Sequence, residues 1–570
     1  MSNLGSLLLC SFSLFVAAGA FKAPSLRLRE PLVPVRRGET APNQALFFDM
    51  PLDHFGIATE MYKNRYWIND TYYKPGGPIF LFDSGEQDAE PLLPYYLQEY
   101  HGLSATMRLA KRYNGVAILW EHRYYGDSLP FPANENTTAE QWRFLTTDQA
   151  LEDVVYFAKR FSLPSAGPGP FDNASGPSSE VRNNPLHPSN TPWIWLGGSY
   201  PGVRGALLRV RNPETIFAVW ASSAPVHAQI DMAAYYKAAE RSLTRNCSAD
   251  WVAVTRFVDA TLANGTATQA VDLKVKLLRA REDGVTREQA ANTSDVDAAE
   301  ILMDPLNFYQ YYGFKDSVLP FCNVVETQNF TALPTETGLA ASFGIDVALN
   351  AFLAGIKQVN YAAIPGTEPA RGRAFSWMWQ YCSEYGFYER GDPNDPLSIE
   401  TSFRSLELYQ EQCNMAFPQG LPSAPAVEHV NKYGGWNMTP SNVLFTNGEF
   451  DPWRTMGLAS IESNSPQRTP SVAIPACNVA PTFPSFFGLT HDNMVHVSDL
   501  RVLLTPDANH TEVKTVGFYS PISQEPFYAG LGLFQLALDD WLPCFSAAKL
   551  GVSTSHRVEG TSFKELTMAL

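Results

Sequence analysis

Ser199, Asp451 and His496 occur in this order along the chain, and a serine, an aspartate and a histidine can together hydrolyse an acyl bond. Ser199 lies in WLGGSYPGVRG, where an apolar run ends in two glycines, a pattern that predicts a sharp strand-to-helix turn presenting a hydroxyl. Asp451 follows the run NVLFT in NGEFDPW, and His496 lies in NMVHVSDL. A nucleophile, an acid and a base in this order are typical of acyl transfer on a parallel sheet. Glu449 remains an alternative acid and His491 an alternative base.

Apolar runs predict the strands that would hold these residues. Runs of the buried-strand type alternate with segments of helical spacing, which predicts an α/β fold with a mostly parallel sheet and helices on both faces. Helices are predicted within residues 95–113 and 146–161 and from Gly202 onward. The predicted strands lie within residues 78–82, 115–120, 192–198, 216–226 and 442–446.

Composition shifts predict how the chain is divided. The segment 162–192 is rich in Pro, Gly, Ser and Asn and predicts a surface loop. Long polar segments of helical spacing then replace the strand pattern, which predicts a helical insertion into the sheet domain. The predicted divisions are 1–20, a signal peptide; 21–44, a basic Pro-rich leader; 45–227 and 434–548, the two parts of the sheet core; 228–433, the helical insertion; and 549–570, a tail.

Overall composition excludes some classes of function. With 570 residues, 45% of them hydrophobic, the chain can bury a large core. Its formal net charge of −16 argues against nucleic acid and anionic membranes as partners, since an acidic surface gains nothing from a polyanion. The cysteines form no CxxC pair or Cys/His cluster that would suggest a zinc site. Acyl transfer by a serine, an acid and a base needs no further group, so we expect neither a metal nor an organic cofactor.

Three features predict export. Residues 1–20 are apolar and end in Ala-Gly-Ala, as a cleaved secretory signal does, and Arg36-Arg37 is a candidate processing site. We expect a secreted, extracellular protein, with a vacuolar or lysosome-like compartment as the alternative. Six cysteines remain after signal removal, and we predict pairing between sequence neighbours: Cys247-Cys322, Cys382-Cys413 and Cys477-Cys544. Glycosylation sequons begin at Asn69, Asn136, Asn173, Asn246, Asn264, Asn292, Asn329, Asn437 and Asn509.

Several separate motifs carry a family resemblance. They are PLDHF (51–55), RYWINDTYYKPGGPIFLF (65–82), EHRYYGDSLP (121–130), FLTTDQALED (144–153), GGSYPG (197–202) and TNGEFDPW (446–453). Together they resemble the proline-specific serine peptidases that include lysosomal Pro-X carboxypeptidase, dipeptidyl peptidase II, thymus-specific serine protease and secreted fungal acid prolyl endopeptidases. The resemblance runs from about Leu46 to Leu542 and is closest to the fungal branch.

The resemblance implies a fold and a triad. The fold is an α/β-hydrolase core with a mainly helical, disulfide-containing cap domain inserted. The family's serine falls on Ser199 and its aspartate on Asp451. Its histidine precedes x-x-Asp-Leu, which selects His496 over His491.

The implied activity is hydrolysis of peptide bonds on the C-terminal side of proline through an acyl-enzyme, with proline-containing peptides or proteins as substrates. Endopeptidase, Pro-X carboxypeptidase and dipeptidyl peptidase cleavage all remain open, as do a monomer and a homodimer. Two alternatives are an inactive secreted family member and an esterase on the same fold.

The same motifs predict the rest of the site. An oxyanion hole is expected from the Tyr200 N–H and a second N–H in the loop after PIFLF, at Gly85 or Glu86. Trp453 and Val203 lie near the reacting atoms in sequence, so they are candidates for a proline pocket. Glu86 and Asp88, in the SGEQD loop, are candidates for binding a substrate amine.

Two departures from the family pattern bear on activity. Pro201 stands where the family has a small residue, and Asn493-Met494-Val495 replaces a stretch that contains a glycine before the histidine. Proline is tolerated in the first turn of a helix, but it restricts the residue before it, Tyr200. We expect a slightly altered turn and a shifted histidine loop.

Overall fold

A computed structural model describes residues 44–56, 58–98, 104–163, 184–329, 331, 333–360, 371–500 and 524–550. The predicted signal peptide, Arg36-Arg37 in the leader, the sequons at Asn173 and Asn509, and residues 551–570 of the tail lie outside these ranges.

A nine-stranded sheet organises the core. The described strands are β1 Leu46–Pro51, β2 Met61–Asn69, β3 Ile79–Asp83, β4 Val116–Trp120, β5 Trp193–Gly198, β6 Ala218–Ser222, β7 Gln229–Asp231, β8 Gly386–Tyr388, β9 Val443–Gly448, β10 Thr469–Ser471 and β11 Ser485–His491. The order of strands in the nine-stranded sheet is β1-β2-β4-β3-β5-β6-β9-β11-β10; β1 and β2 run antiparallel, as do β2 and β4, and the other neighbours are parallel. A separate parallel pair, β7 with β8, lies in the inserted segment.

Helices connect and cover the strands. Thr146 caps one of them by accepting a bond from the Gln149 N–H at 3.3 Å, which satisfies a donor that the first turn leaves without an intrahelical acceptor. The helices before the insertion are α1 Leu93–Tyr96, α2 Ala105–Tyr113, α3 Ala139–Trp142, α4 Thr147–Arg160 and α5 Tyr200–Arg211.

We call residues 228–433 the cap. Its described residues are mainly helical, and one further helix follows the sheet. The cap helices are α6 Lys237–Ser242, α7 Arg245–Asn264, α8 Ala267–Arg281, α9 Arg287–Asn292, α10 Asp295–Ala299, α11 Tyr309–Gly313, α12 Leu319–Glu326, α13 Leu339–Phe343, α14 Ile345–Val359, α15 Arg371–Gln380, α16 Leu406–Ala416 and α17 Glu428–Asn431; the last helix is α18 Gln524–Leu550.

Each face of the sheet packs against its own hydrophobic core. On one face Phe80, Leu196 and Trp220 pack with Phe534 and Trp541 of α18. On the other face the sheet packs against α4, α5 and the cap in one continuous cluster. The predicted α/β-hydrolase fold with an inserted helical cap is confirmed.

All three predicted disulfides are present. Cys247-Cys322 joins α7 to α12, and Cys382-Cys413 joins the turn after α15 to α16. Cys477-Cys544 ties the loop between β10 and β11 to α18. Two bonds therefore brace the cap, and the third fastens the last helix to the sheet domain.

A cluster of buried carboxyl groups surrounds one arginine in the cap. The Arg404 guanidinium lies 3.0 Å from Glu400 and 3.2 Å from Glu300, and Glu389 is also close to it. Burial raises the pKa of all three carboxyl groups, and that of Glu400 reaches about 8 although Arg404 opposes the shift. Three carboxyl groups thus surround a single guanidinium group.

Candidate active site

Ser199 occupies a strained turn between β5 and α5. Its φ of +66° and ψ of −129° lie in a region that side-chain-bearing residues rarely adopt. The turn is held because the Ser199 N–H donates to the Ser222 carbonyl at 2.7 Å, and the Val203 N–H donates to the Ser199 carbonyl at 3.0 Å. Helix α5 begins at Tyr200, two residues earlier than predicted from sequence. The predicted sharp turn between a strand and a helix is therefore present at Ser199.

The histidine loop packs directly against this turn. A Cβ built on Gly198 would lie 2.4 Å from Val497 Cγ1, so only glycine fits beside that loop. Val497 itself has a φ of +54°, and its N–H donates to Ser223 Oγ at 2.8 Å. These contacts bring the residue that follows His496 against the residue that precedes Ser199.

Asp451 and His496 form a buried pair. His496 Nδ1 lies 2.9 Å from Asp451 Oδ1, and both residues are at most 1% exposed. The Asp451 carboxylate also accepts bonds from the Trp453 N–H at 2.9 Å and from Asn447 Nδ2 at 3.2 Å. Because an ionised carboxylate only accepts, Nδ1 carries the proton and Nε2 holds the basic lone pair.

The two alternative residues are engaged elsewhere. His491 Nε2 lies 3.3 Å from Asp499, and the Ser222 hydroxyl also donates to that carboxylate. Burial tends to raise the pKa of Asp499, but the bonds from His491 and Ser222 outweigh burial and lower it. Glu449 accepts the Asn493 N–H at 2.9 Å. The geometry pairs Asp451 with His496 and leaves Glu449 and His491 outside that pair.

The loop after β3 lies against the nucleophile turn through Pro201. A Cβ built on Gly85 would lie 2.3 Å from Pro201 Cγ, and Gly85 has a φ of +66°. The Gly85 N–H, predicted as an oxyanion donor, instead donates to the carboxylate of Asp83 at 3.1 Å. The two other predicted donors are the Glu86 N–H in the same loop and the Tyr200 N–H, which lies in the first turn of α5, where N–H groups have no intrahelical acceptor.

A buried ion pair fixes that loop. Asp83 Oδ2 lies 2.6 Å from Arg204 Nη1 of α5, and Arg204 Nη2 donates to the Ala150 carbonyl at 2.7 Å. Both side chains are at most 1% exposed. Burial raises the pKa of Asp83, while the charge of Arg204 and the Gly85 N–H oppose the rise. Arg204 thus holds the carboxylate that in turn holds Gly85.

Ser199 opens into an apolar pocket that core and cap build together. Trp453 and Val203, both predicted, line it, whereas Glu86 and Asp88 do not. The Asp88 carboxylate is instead bound by Arg65 at 2.6 Å, and Glu86 is 2% exposed. The full lining is Ser199, Tyr200, Val203, Pro225, Trp377, Tyr385, Phe387 and Trp453.

Polar atoms of the pocket walls bind to one another. The Tyr200 hydroxyl accepts a bond from Gln380 Nε2 at 2.8 Å and lies 2.9 Å from His122 Nε2. Burial lowers the pKa of His122 well below its usual range, so its ring is neutral. Its Nδ1 donates to the Arg123 carbonyl at 2.6 Å, and its Nε2 therefore accepts the hydrogen bond from the Tyr200 hydroxyl. The Tyr385 hydroxyl lies 3.0 Å from Thr147 Oγ1. The pocket therefore presents uncharged, largely apolar surfaces.

Sequence reasoning missed the cap side of the pocket. Trp377, Tyr385 and Phe387 come from one aromatic-rich stretch, FSWMWQYCSEYGFY (375–388). The density of aromatic residues around Cys382 could have singled it out. Among the described residues no group of His, Cys, Asp and Glu could hold a metal ion.

Sequons differ in exposure. Asn136, Asn264, Asn292, Asn329 and Asn437 are exposed, and Asn246 is half-buried. Asn69 is 8% exposed, and its amide donates to the Leu97 carbonyl at 2.8 Å. Asn69 is thus the least accessible of the predicted acceptors that the structure describes.

Comparison with known proteins shows the family to which the chain belongs. Residues 50–166 and 180–477 match the model of serine carboxypeptidase S28, which includes Ser199 and Asp451 but ends before His496. Serine protease vicPb of Bipolaris victoriae is 27% identical over 73% of this chain and 78% of its own length. The human thymus-specific serine protease is 29% identical over 76% of this chain and 81% of its own. Lysosomal Pro-X carboxypeptidase of Bos taurus is 25% identical over 80% of this chain and 88% of its own. The chain belongs to the serine carboxypeptidase S28 family and is a serine-type peptidase.

Proposed function

We propose that the protein hydrolyses peptide bonds on the C-terminal side of proline through Ser199, Asp451 and His496. One observation carries the proposal: a serine on a strained turn opens into an uncharged pocket with aromatic walls. The flat faces of Trp377, Phe387 and Trp453 suit a pyrrolidine ring, which carries no charge and no hydrogen-bond donor.

The proposed reaction proceeds through an acyl-enzyme. His496 Nε2 removes the proton of Ser199 as the hydroxyl attacks the carbonyl, and then delivers it to the leaving amine. Asp451 keeps the proton of the neutral ring on Nδ1 and stabilises the charged ring. The oxyanion is held by the N–H groups of Tyr200 and Glu86. Water then releases the acid product by the same proton transfers in reverse.

Burial of the triad restricts the substrate. Ser199 and His496 are each 1% exposed, and cap residues form much of the pocket. A folded protein cannot bring an interior peptide bond to such a serine. We therefore propose short or unfolded proline-containing peptides as substrates, with cleavage at an end or inside a short chain.

Pro201 is compatible with an active enzyme. It occupies the first turn of α5, where a missing N–H costs nothing, and its ring packs on Gly85. The strained serine and the Asp451–His496 pair are retained beside it. These features favour catalysis over an inactive family member.

Export is part of the proposal. The three disulfides suit an oxidising compartment, and five exposed sequons suit the secretory pathway. We propose an extracellular protein, with a lysosome-like compartment as the alternative. Within the described ranges no helix is long and apolar enough to cross a membrane.

A cleavage assay tests the function. The purified protein is incubated with matched peptides that carry proline or alanine at one position, and with a simple ester, between about pH 3 and 8. Mass spectrometry of the products identifies the bond cleaved. We expect cleavage after proline that Ser199→Ala abolishes. Ester hydrolysis alone would favour the esterase, and no turnover at any pH would favour the inactive family member.

A further inference from the structure

Gln310, at the start of cap helix α11, contacts both the pocket wall and the base. We propose that it is a positioning residue, through which the cap fixes the orientation of Trp453 and the loop of His496. This inference rests on the proposed function. No sequence motif drew attention to Gln310.

Its side chain holds the pocket wall. Gln310 Oε1 accepts bonds from Trp453 Nε1 at 3.1 Å and from the Tyr235 hydroxyl at 2.6 Å. An indole N–H only donates, so the amide oxygen must face it. The Tyr235 ring packs edge-on against Trp453 with centroids 5.2 Å apart, and Phe387 packs on the same indole at 5.1 Å. The indole is therefore fixed in its plane by one hydrogen bond and two rings.

Its main chain holds the base. The His496 N–H donates to the Gln310 carbonyl at 3.2 Å. One turn later in α11, a Cβ built on Gly313 would lie 3.1 Å from Val495 Cγ1, so the helix lies close against the histidine loop. The same helix thus contacts the residue before His496 and His496 itself.

The burial of Gln310 indicates that its side chain is needed for its hydrogen bonds to Trp453 and Tyr235. The residue is 6% exposed, and its Nε2 has no hydrogen-bond partner among the residues that the structure describes. An unsatisfied buried amide N–H₂ opposes folding, whereas an apolar side chain of similar size would avoid that cost. Packing alone would favour the apolar side chain. The two bonds to Trp453 and Tyr235 account for the glutamine.

Three variants separate positioning from packing. Gln310→Met keeps the volume and removes the acceptor; Gln310→Asn shortens its reach; Gln310→Glu retains an acceptor oxygen. We expect Gln310→Met and Gln310→Asn to lower kcat/KM for the proline peptide about tenfold or more. The kcat/KM for the alanine peptide should change far less, because a loosened pocket wall loses only the shape that favours the proline ring. Glu should restore the proline preference. A purely structural role would lower both rates in proportion.

A control from the same domain reports on general loosening of the cap. The Asp250 carboxylate accepts the Leu339 and Ala340 N–H groups, each at 2.8 Å, and Asp250 is not among the residues lining the pocket. Asp250→Asn should lower Tm and leave the ratio of proline to alanine cleavage unchanged. If it changes that ratio as much as Gln310→Met does, the proposal for Gln310 is overturned.

A double-mutant cycle tests the bond itself. Trp453→Phe removes the indole N–H, so adding Gln310→Met should reduce the proline preference little further. Independent, additive losses would contradict the proposed contact. If Gln310→Met does not accumulate as folded protein, Gln310→Asn decides, and a wild-type proline preference in that variant overturns the inference.

Failure of the function and failure of this inference give different results. Absence of peptide cleavage by the unaltered protein removes the proposed function. The rates at which a prolyl and an alanyl fluorophosphonate phosphonylate Ser199, with loss of fluoride, then test Gln310 without a peptide. We expect the preference for the prolyl reagent to fall in Gln310→Met and recover in Gln310→Glu; the same preference in all three proteins would overturn the positioning role.

Discussion

At the scale of single residues, several residues around the proposed nucleophile have strained backbone conformations. Ser199, Ser223 and Val497 all have φ between +50° and +66°, and Val497 is β-branched. Each is held by a hydrogen bond to a neighbouring strand or loop: Ser199 to Ser222, Ser223 to Thr446, and Val497 to Ser223. Such conformations persist only where the surroundings determine them fully, as at sites that must present a reactive group.

Two histidine–aspartate pairs lie near this strain, and a matched substitution tells them apart. Asp451→Asn should lower kcat by about 10⁴, because an amide can donate to Nδ1 and so favour the wrong ring tautomer. Asp499→Asn removes the partner of His491 and should lower Tm while leaving much of kcat. Steady-state kinetics and thermal denaturation of both variants give the comparison. A larger kcat loss in Asp499→Asn would assign the base to His491.

The buried Arg204–Asp83 pair predicts an effect on the oxyanion. Arg204→Met frees the Asp83 carboxylate that holds Gly85, so the Glu86 N–H should lose its alignment and kcat should fall about 10²–10³-fold with little change in KM. Burst titration counts the active sites, so that kcat is calculated per folded molecule.

Arg209 provides the matched control for that variant. It is a buried arginine of the same helix, which donates to the carbonyls of Pro213, Ile216 and Ser441 and to no atom of the oxyanion loop. Arg209→Met should lower Tm and leave kcat per active site unchanged. Equal kcat losses in both variants would refute the role given to Arg204.

At the scale of elements, the sequence predicts best what local pattern determines. The five predicted strands are present as β3, β4, β5, β6 and β9, because strands buried on both faces read as continuous apolar runs. Strands β1 and β2 were missed, since half-buried antiparallel strands mix polar and apolar positions. Helix α18 was also missed; it contains Gly530, Gly532 and Pro543, which lower helix propensity.

The same limit applies to the site. Ser199, Asp451 and His496 could be predicted because each follows a recognisable run in a fixed chain order. Gln310 and Arg204 could not, because Trp453 and Asp83, to which they bind, lie 143 and 121 residues away and share no motif with them. Such contacts depend on how the cap and the sheet meet, which no local pattern encodes.

At the scale of the whole molecule, the buried acids of the cap link stability to pH. The pKa of Glu400 is raised by burial to about 8, against the opposing charges of Arg404 and Lys237 and with support from Glu240 and Glu300. A raised carboxyl pKa means that the folded state retains a proton that the unfolded state releases. Protonation of Glu400 therefore contributes fully to the free energy of unfolding below about pH 4.5, and this contribution is lost as pH rises through about 8.

Glu400→Gln tests this linkage. Glutamine imitates the protonated acid at every pH, so its Tm should match that of the wild type near pH 4.5 and exceed it by a few degrees near pH 8. Glu336→Gln, at an exposed cap position, is the control and should follow the wild type throughout. If the change in Tm between pH 4.5 and pH 8 is the same in Glu400→Gln as in the wild type, the raised pKa of Glu400 does not account for that change.

The place of the cap within the chain also matters while the protein is being made. Ser199 is synthesised some 250 residues before Asp451, with the entire cap in between. At ribosomal speeds of about 5–20 residues per second, tens of seconds pass between the synthesis of Ser199 and that of Asp451 and His496. Because the proposed mechanism needs all three residues, we expect the nascent chain to hydrolyse no peptide bond until its last strands have been made.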